Sequence, residues 1–192
     1  MKHFLTGLAA TAMMTLFLQP ARAEEAHVAP VTAYMKAHVT GWVNDPVIIG
    51  AIKAQNAKHA NLSEADIVAL DKKWRAEVDA ADKPLITATL GNAVSAFLKA
   101  KQADSKGAIA EVFVMDNKGL NVGQSEVTSD YWQGDEAKFQ KSFGVGKDVL
   151  FVDKVEKDES SQALQSQASM TISDESGKPI GAITVGVNLE AL

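Results

Sequence analysis

After residue 30 the apolar positions first keep helical spacing and then, beyond residue 107, switch to strand spacing. Val31, Tyr34, Met35, Val39 and Trp42 recur every three or four residues and predict a helix ending near Gly41. Asn44-Asp45-Pro46 stops it and caps the next one, with Pro46 at a first helical position where its missing N–H loses nothing. Ile48, Ile49 and Ile52 carry an apolar face toward His59. Ser63-Glu64-Ala65-Asp66 has the form of a capping box, and Ile67, Leu70, Trp74 and Val78 follow on one stripe. Pro84 opens one more helical run, through Ile86, Leu90, Val94, Phe97 and Leu98 to Lys106-Gly107.

From Ile109 to Met115 the period shortens to two and the residues favour strands. Asp116-Asn117-Lys118-Gly119 predicts a hairpin turn, and Leu120 to Gln124 the returning strand. A helix is expected at Gly134 to Phe143, stopped by Gly144-Val145-Gly146, and then strands at Val149 to Glu156, Leu164 to Ser173 and Ile180 to Leu189. The order is that of an α+β fold in which N-terminal helices pack against a single five-stranded antiparallel sheet. The stripes on the first helices are too narrow to close a core alone, so residues 24–83 form a helical segment and residues 84–192 the sheet-bearing domain.

The start of the chain changes this picture. A basic Lys2, an apolar run from Phe4 to Leu18, Pro20 and the small residues Ala21 and Ala23 read as a secretory signal peptide over residues 1–23, cleaved after Ala23. A membrane anchor needs about 20 apolar residues, and this run is shorter and broken by Thr6, Gly7, Thr11 and Thr15. No second apolar run follows Leu18, so a periplasmic protein is expected. The 24 Asp and Glu against 19 Lys and Arg give a net charge of −5, which speaks against nucleic acid as a partner. The chain has no cysteine, which excludes disulfides, thiolate metal sites and a cysteine nucleophile.

Two stretches carry more specific information. Glu111-Val112-Phe113-Val114-Met115-Asp116-Asn117-Lys118-Gly119-Leu120-Asn121-Val122 resembles the start of an extracytoplasmic PAS-like sensor module of the Cache type, also called the PDC sensor domain. Ser125 and the segment Thr128 to Gln140 resemble the helix-forming insertion of these domains. Ser169 to Ile172, Asp174, Gly177 and Ile180 to Val187 resemble their closing hairpin. The resemblance covers about residues 84 to 192, and the N-terminal helices match only by order and length. It implies a domain outside the membrane that binds a small molecule. Such modules usually belong to chemoreceptors and histidine kinases. Here no second span or cytoplasmic output follows Leu192, so the expectation is a stand-alone domain that signals through a separate membrane sensor or receptor protein. A homodimer through the N-terminal helices is a further expectation.

The residues themselves suggest where a small polar metabolite would sit. In the fourth strand Gln165, Gln167, Ser169 and Thr171 share one face, and Leu164, Ala168, Met170 and Ile172 the other. The last strand repeats this with Ala182, Thr184 and Gly186 opposite Ile183, Val185, Val187 and Leu189. The bulky face predicts contact with the helices. The small face is either a ligand floor or a wetted sheet surface, and the resemblance favours the floor. Tyr131 and Trp132, with Asp130 and Asp135 beside them, are candidates for an aromatic wall or lid suited to a cation or an amine-bearing metabolite, or else for core. Lys138 is a candidate partner for a ligand carboxylate, or a solvated lysine. The ligand-binding candidates are thus Asp130, Tyr131, Trp132, Lys138, Gln165, Gln167, Ser169 and Thr184. Asp158-Glu159-Ser160-Ser161 reads as an exposed connection with oxygen ligands for a hard cation as the lesser alternative.

Signals for catalysis are thin. His27, His38 and His59 form no His-Glu-x-x-His pair, Gly144-Val145-Gly146-Lys147-Asp148 lacks phosphate-loop spacing, and no Gly-x-Ser-x-Gly elbow occurs. No catalytic residue, metal or cofactor is expected. The rivals to a sensor domain are a structural or interaction protein whose pocket is filled by its own side chains, and a hydrolase with an unrecognised site.

Overall fold

Asp45 accepts the Val47 N–H at 2.9 Å and so caps the helix that Pro46 begins, α2 (Pro46–Lys58). Ser63 and Asp66 close the expected capping box on α3 (Glu64–Val78). The computed structural model describes residues 25–157 and 164–192. The leader with its cleavage site after Ala23, and the Asp158 to Ser161 connection, lie outside the described residues. Ahead of α2, α1 (Val28–Tyr34) continues through a π-helical turn at Met35–Val39.

The run after Pro84 is two helices rather than one, α4 (Pro84–Leu90) and α5 (Ala93–Asp104). Gly91 ends the first, and Asn92 caps the second by accepting the Ser95 N–H at 2.8 Å. Apolar spacing is blind to a break that keeps the same face inward, which is why the sequence reads as one run. The strands are β1 (Ile109–Met115), β2 (Asn121–Gln124), β3 (Leu150–Lys157), β4 (Leu164–Ser173) and β5 (Pro179–Asn188), with the short α6 (Ala137–Gln140) between β2 and β3. The expected helix at Gly134 to Phe143 is therefore a single turn.

The strands pair in the order β2-β1-β5-β4-β3, antiparallel throughout. This is the α+β architecture that the alternation of periods predicts. In the β4–β5 register Gln167 lies opposite Gly186, Ser169 opposite Thr184 and Thr171 opposite Ala182. One sheet face buries Ala168, Ile172, Ile183, Val185 and Val187 in a single core with Val31, Met35, Val39, Ile48 and Ile52 from the helices. The apolar side chains of α1 and α2 are thus removed from water only because the sheet covers them. The opposite face is not uniformly wet. Phe113, Met115 and Ala182 pack there with Phe139 of α6, closing one end of it.

A second, smaller core lies beside the sheet, where Ile67 and Trp74 of α3 and Ile86 of α4 meet Leu120 and Tyr131. The turn between β1 and β2 feeds into it. Gly119 has φ +81°, and a Cβ there would come within 2.6 Å of Gly134, so the 131–134 segment can run tight against the turn only because both residues lack side chains. Asp116 braces this turn from beneath. Its carboxylate accepts from the Lys118 and Leu120 N–H groups and from Gln55 Nε2, and lies 2.9 Å from His59 Nδ1.

A candidate ligand cavity on the sheet

The sheet face away from α1 and α2 holds a concavity of about 760 Å³, within the size range of small-molecule sites. Its floor includes Glu111 and Phe113 of β1 with Gln165 and Gln167 of β4. Thr128, Ser129 and Gln133 line the side toward α3, and Glu136 and Lys138 the side toward α6. Glu111 can lie on the floor because β5 offers no side chain at Gly186. A Cβ there would meet Glu111 Cγ at 2.7 Å and Gln165 Oε1 at 2.6 Å. Gln167 Nε2 then donates to Glu111 Oε1 at 2.8 Å and fixes the carboxylate.

Of the residues singled out by sequence, Gln165, Gln167 and Lys138 come together on this cavity. Ser169 and Thr184 do not line it. Both are fully buried, and their hydroxyls pair with each other at 2.9 Å. The two hydroxyls face one another across the strand pair and share one hydrogen bond, and their burial keeps them from a ligand in the cavity.

Tyr131 and Trp132 take the core alternative. Tyr131 stacks on Trp74 with ring centroids 5.3 Å apart, inside the small core. Trp132 packs against the same core, and its Nε1 donates to the Lys118 carbonyl at 2.8 Å. Neither ring lines the cavity, because each buries its area in the small core formed with α3. Burial, with a smaller contribution from the Asp116 charge, pushes the Tyr131 phenol up to about 12. Asp130 faces the same way, pairing with Arg75 Nη1 at 2.9 Å.

What holds these residues is α3. Asp71 Oδ1 accepts the N–H groups of Tyr131 at 2.9 Å and Trp132 at 3.1 Å, while Asp71 Oδ2 accepts from Arg75 Nε at 2.7 Å. Trp74 Nε1 donates to the Thr128 carbonyl. Leu120 and Trp132 form an isolated antiparallel bridge, and Gln133 N–H donates to the Gly119 carbonyl. The 128–133 segment is therefore a rigid wall of the cavity, built as an extra rung beside β2.

Lys138 lies mostly buried, with Nζ 3.0 Å from Glu136 Oε2 and 5.4 Å from the Phe113 ring centroid. Its charge is already matched within the protein, which removes the expected anchor for a ligand carboxylate. The Glu136 carboxyl is pushed up by burial and by the neighbouring Asp130, against the pull of Lys138.

Glu111, Gln133 and Glu136 are among the cavity residues that escape the sequence reading. Glu111 had a readable signal, a lone carboxylate in the otherwise apolar β1. Gln133 and Glu136 had none, since both depend on how the 128–136 segment folds back. Gln133 is 2 % exposed; its Nε2 donates to the Asp130 carbonyl, and its Oε1 has no hydrogen-bond partner among the described residues. Among those residues no group of three or more His, Asp or Glu could hold a metal ion, and no helix is long and apolar enough to cross a membrane.

No family model matches the chain, and no curated protein matches it. Solved structures similar to it include sensor and ligand-binding domains. The sensor domain of the V. cholerae histidine kinase DctB matches over 85 % of this chain at 13 % identity with a TM-score of 0.45. The ligand-binding domain of the Campylobacter jejuni chemoreceptor Tlp3, in complex with 4-methylisoleucine, matches over 78 % at 14 % identity and 0.41. The E. coli DcuS sensor domain matches over 73 % at 16 % identity and 0.38. The chain spans 51 % of the DctB structure, 63 % of the Tlp3 structure and 92 % of the DcuS structure.

Proposed function

We propose that the chain is an exported, non-catalytic ligand-binding domain of the sensor type. It takes a small polar molecule on the open face of its sheet and reports occupancy to a separate membrane signalling protein. The observation that carries this reading is the cavity itself, a concavity of about 760 Å³ with a polar lining, a floor made by β1 and β4 on either side of β5 and a wall clamped by α3. The resemblance of residues 84–192 to the Cache type supports it, as does the leader for export.

The test is thermal melting against a broad panel of amino acids, amines, carboxylates and purines. A ligand at about a hundredfold over its Kd raises stability by about 2.7 kcal/mol, and each kcal/mol moves Tm by roughly 2–4 °C in a chain of this size. Uniform silence across the panel overturns the reading in favour of a domain whose sheet face serves no free ligand. Export is checked separately by the intact mass of the secreted form, expected to begin at Glu24.

A further inference from the structure

The cavity and α1 lie on opposite faces of the sheet, and the strands between them are packed on both sides. Ala168, Val185 and Val187 share the core with Val31 and Met35, while Phe113 is buried on the other face. Close-packed layers of this kind leave little room for a side chain to shift. The edge strand β3 is built otherwise. Val152 pairs with Ala168 and Val155 with Ser166, so three residue steps along β3 answer two along β4, and a β-bulge falls at Asp153 and Lys154. From Lys154 to Lys157 every residue is exposed, so few contacts hold the strand beyond the bulge.

Asp153 stands where the two faces meet. It lines the cavity with Glu156 and Lys157. Its carboxylate accepts the Lys154 N–H at 2.9 Å. Its carbonyl accepts from Ser166 Oγ at 2.7 Å and from His27 Nε2 at 2.8 Å. A carbonyl only accepts, so Nε2 of this imidazole carries a proton. His27 is the residue just before α1; its side chain is 9 % exposed and makes no capping hydrogen bond to that helix. The imidazole is committed to β3 instead of to its own helix. The backbone of the bulge is thus held by side chains of β3, of β4 and of the end of α1.

We propose that this bulge is the joint through which the state of the cavity reaches α1, the outer half of β3 turning on Asp153 and His27 carrying the displacement to the first turn of the helix. For what moves the joint, the proposal rests on the cavity being the ligand site. A molecule in the cavity meets Asp153, Glu156 and Lys157 from one side, and the extra residue of a bulge lets them shift while the pairs at Val152 and Val155 stay in place. Any turn of the peptide after Asp153 moves its carbonyl, and with it His27 and the start of α1.

The experiment needs no ligand. Amide hydrogen exchange of the full chain is followed by NMR, with the core amide of Val185 as the reference for global unfolding. D153A removes the carboxylate that holds the Lys154 N–H. It is expected to speed exchange about tenfold at Lys154 and Val155 and about threefold at Val31 to Tyr34 in α1, both relative to Val185. In the H27A background D153A should still speed Lys154 and Val155 but leave Val31 to Tyr34 unchanged. H27A takes no cap from α1, and H27Q, which keeps a donor, should retain the response. S166A, which removes the other donor to the Asp153 carbonyl, is the second lever and should give the same pattern if D153A unfolds. A response in α1 that persists in H27A means that the core carries it, and overturns the proposal. So does faster exchange at Lys154 and Val155 with no change in α1 when His27 is present, and so does a bulge indifferent to both D153A and S166A. None of these results touches the cavity as a ligand site, which a silent melting panel overturns on its own.

Discussion

The Asp71 carboxylate, on α3, accepts the backbone N–H of Tyr131 at 2.9 Å across a separation of sixty residues. The same oxygen takes the Trp132 N–H, and the other takes Arg75 Nε. One buried side chain of the helical segment thus sets the position of the cavity wall. Removing it leaves two backbone donors without an acceptor.

Asp71→Ala is therefore expected to destabilise the fold by about 2–4 kcal/mol, as each buried unpaired donor costs roughly 1–3 kcal/mol. Urea melts measure this. Asp71→Asn, which keeps an acceptor oxygen, should cost less than the alanine variant. Equal losses in both would mean that the carboxylate charge, and not the acceptor for Tyr131 and Trp132, is what matters.

Gly186→Ala tests the floor. The new Cβ has to displace Glu111 and Gln165, whose nearest atoms are side-chain ends able to move. The expected cost is about 1–3 kcal/mol of overpacking, together with weaker binding of any ligand found in the cavity. Full stability with unchanged binding would show that Glu111 need not lie flat over β5.

The buried phenol predicts an alkaline signature. The Tyr131 pKa is raised to about 12 in the folded protein against an ordinary value of 10.0. A raised folded pKa gives stability that is complete below pH 10 and declines as pH climbs through 12. In absorbance titration, the folded chain should show a tyrosine that stays un-ionised at pH 10–11, and urea should restore it to the ordinary value. Tyr131→Phe should make stability less dependent on pH in that window. A chain whose Tyr131 ionises at pH 10 while folded would contradict its packing against Trp74.

A chain truncated to begin at Pro84 loses α1, α2 and α3. It bares Ile172, Ile183, Val185 and Val187, which share one core with Val31, Met35, Ile48 and Ile52. Exposing an aliphatic side chain costs about 1.5–3 kcal/mol, so the four together cost about 6–12 kcal/mol, as much as the 5–15 kcal/mol that ordinarily holds a domain. Cooperative thermal unfolding should vanish. A sharp, reversible transition in the truncated chain would show that residues 84–192 fold alone.

How much of this was legible without the structure follows from the range over which each force acts. Caps and alternation are local, so Asp45, the Ser63 to Asp66 box, the bounds of β1 and β4 and the apolar face formed by Ile183, Val185 and Val187 could be read from the chain directly, and the five-stranded antiparallel sheet followed from them. The polar row of β4 was legible as a face for the same reason, but not its division into Gln165 and Gln167 on the cavity and a self-paired Ser169 beneath α6. That division depends on Thr184, brought opposite only by the β4–β5 register. The side chosen by Tyr131 and Trp132 was likewise undetermined, because both sides of the loop offer apolar surface and only the docking of α3, through Asp71 and Trp74, decides between them. Gln133, Glu136 and the room over Gly186 belong to the same class. Their chemistry lies in atoms brought together from segments far apart in the chain, and only the tertiary structure could supply it.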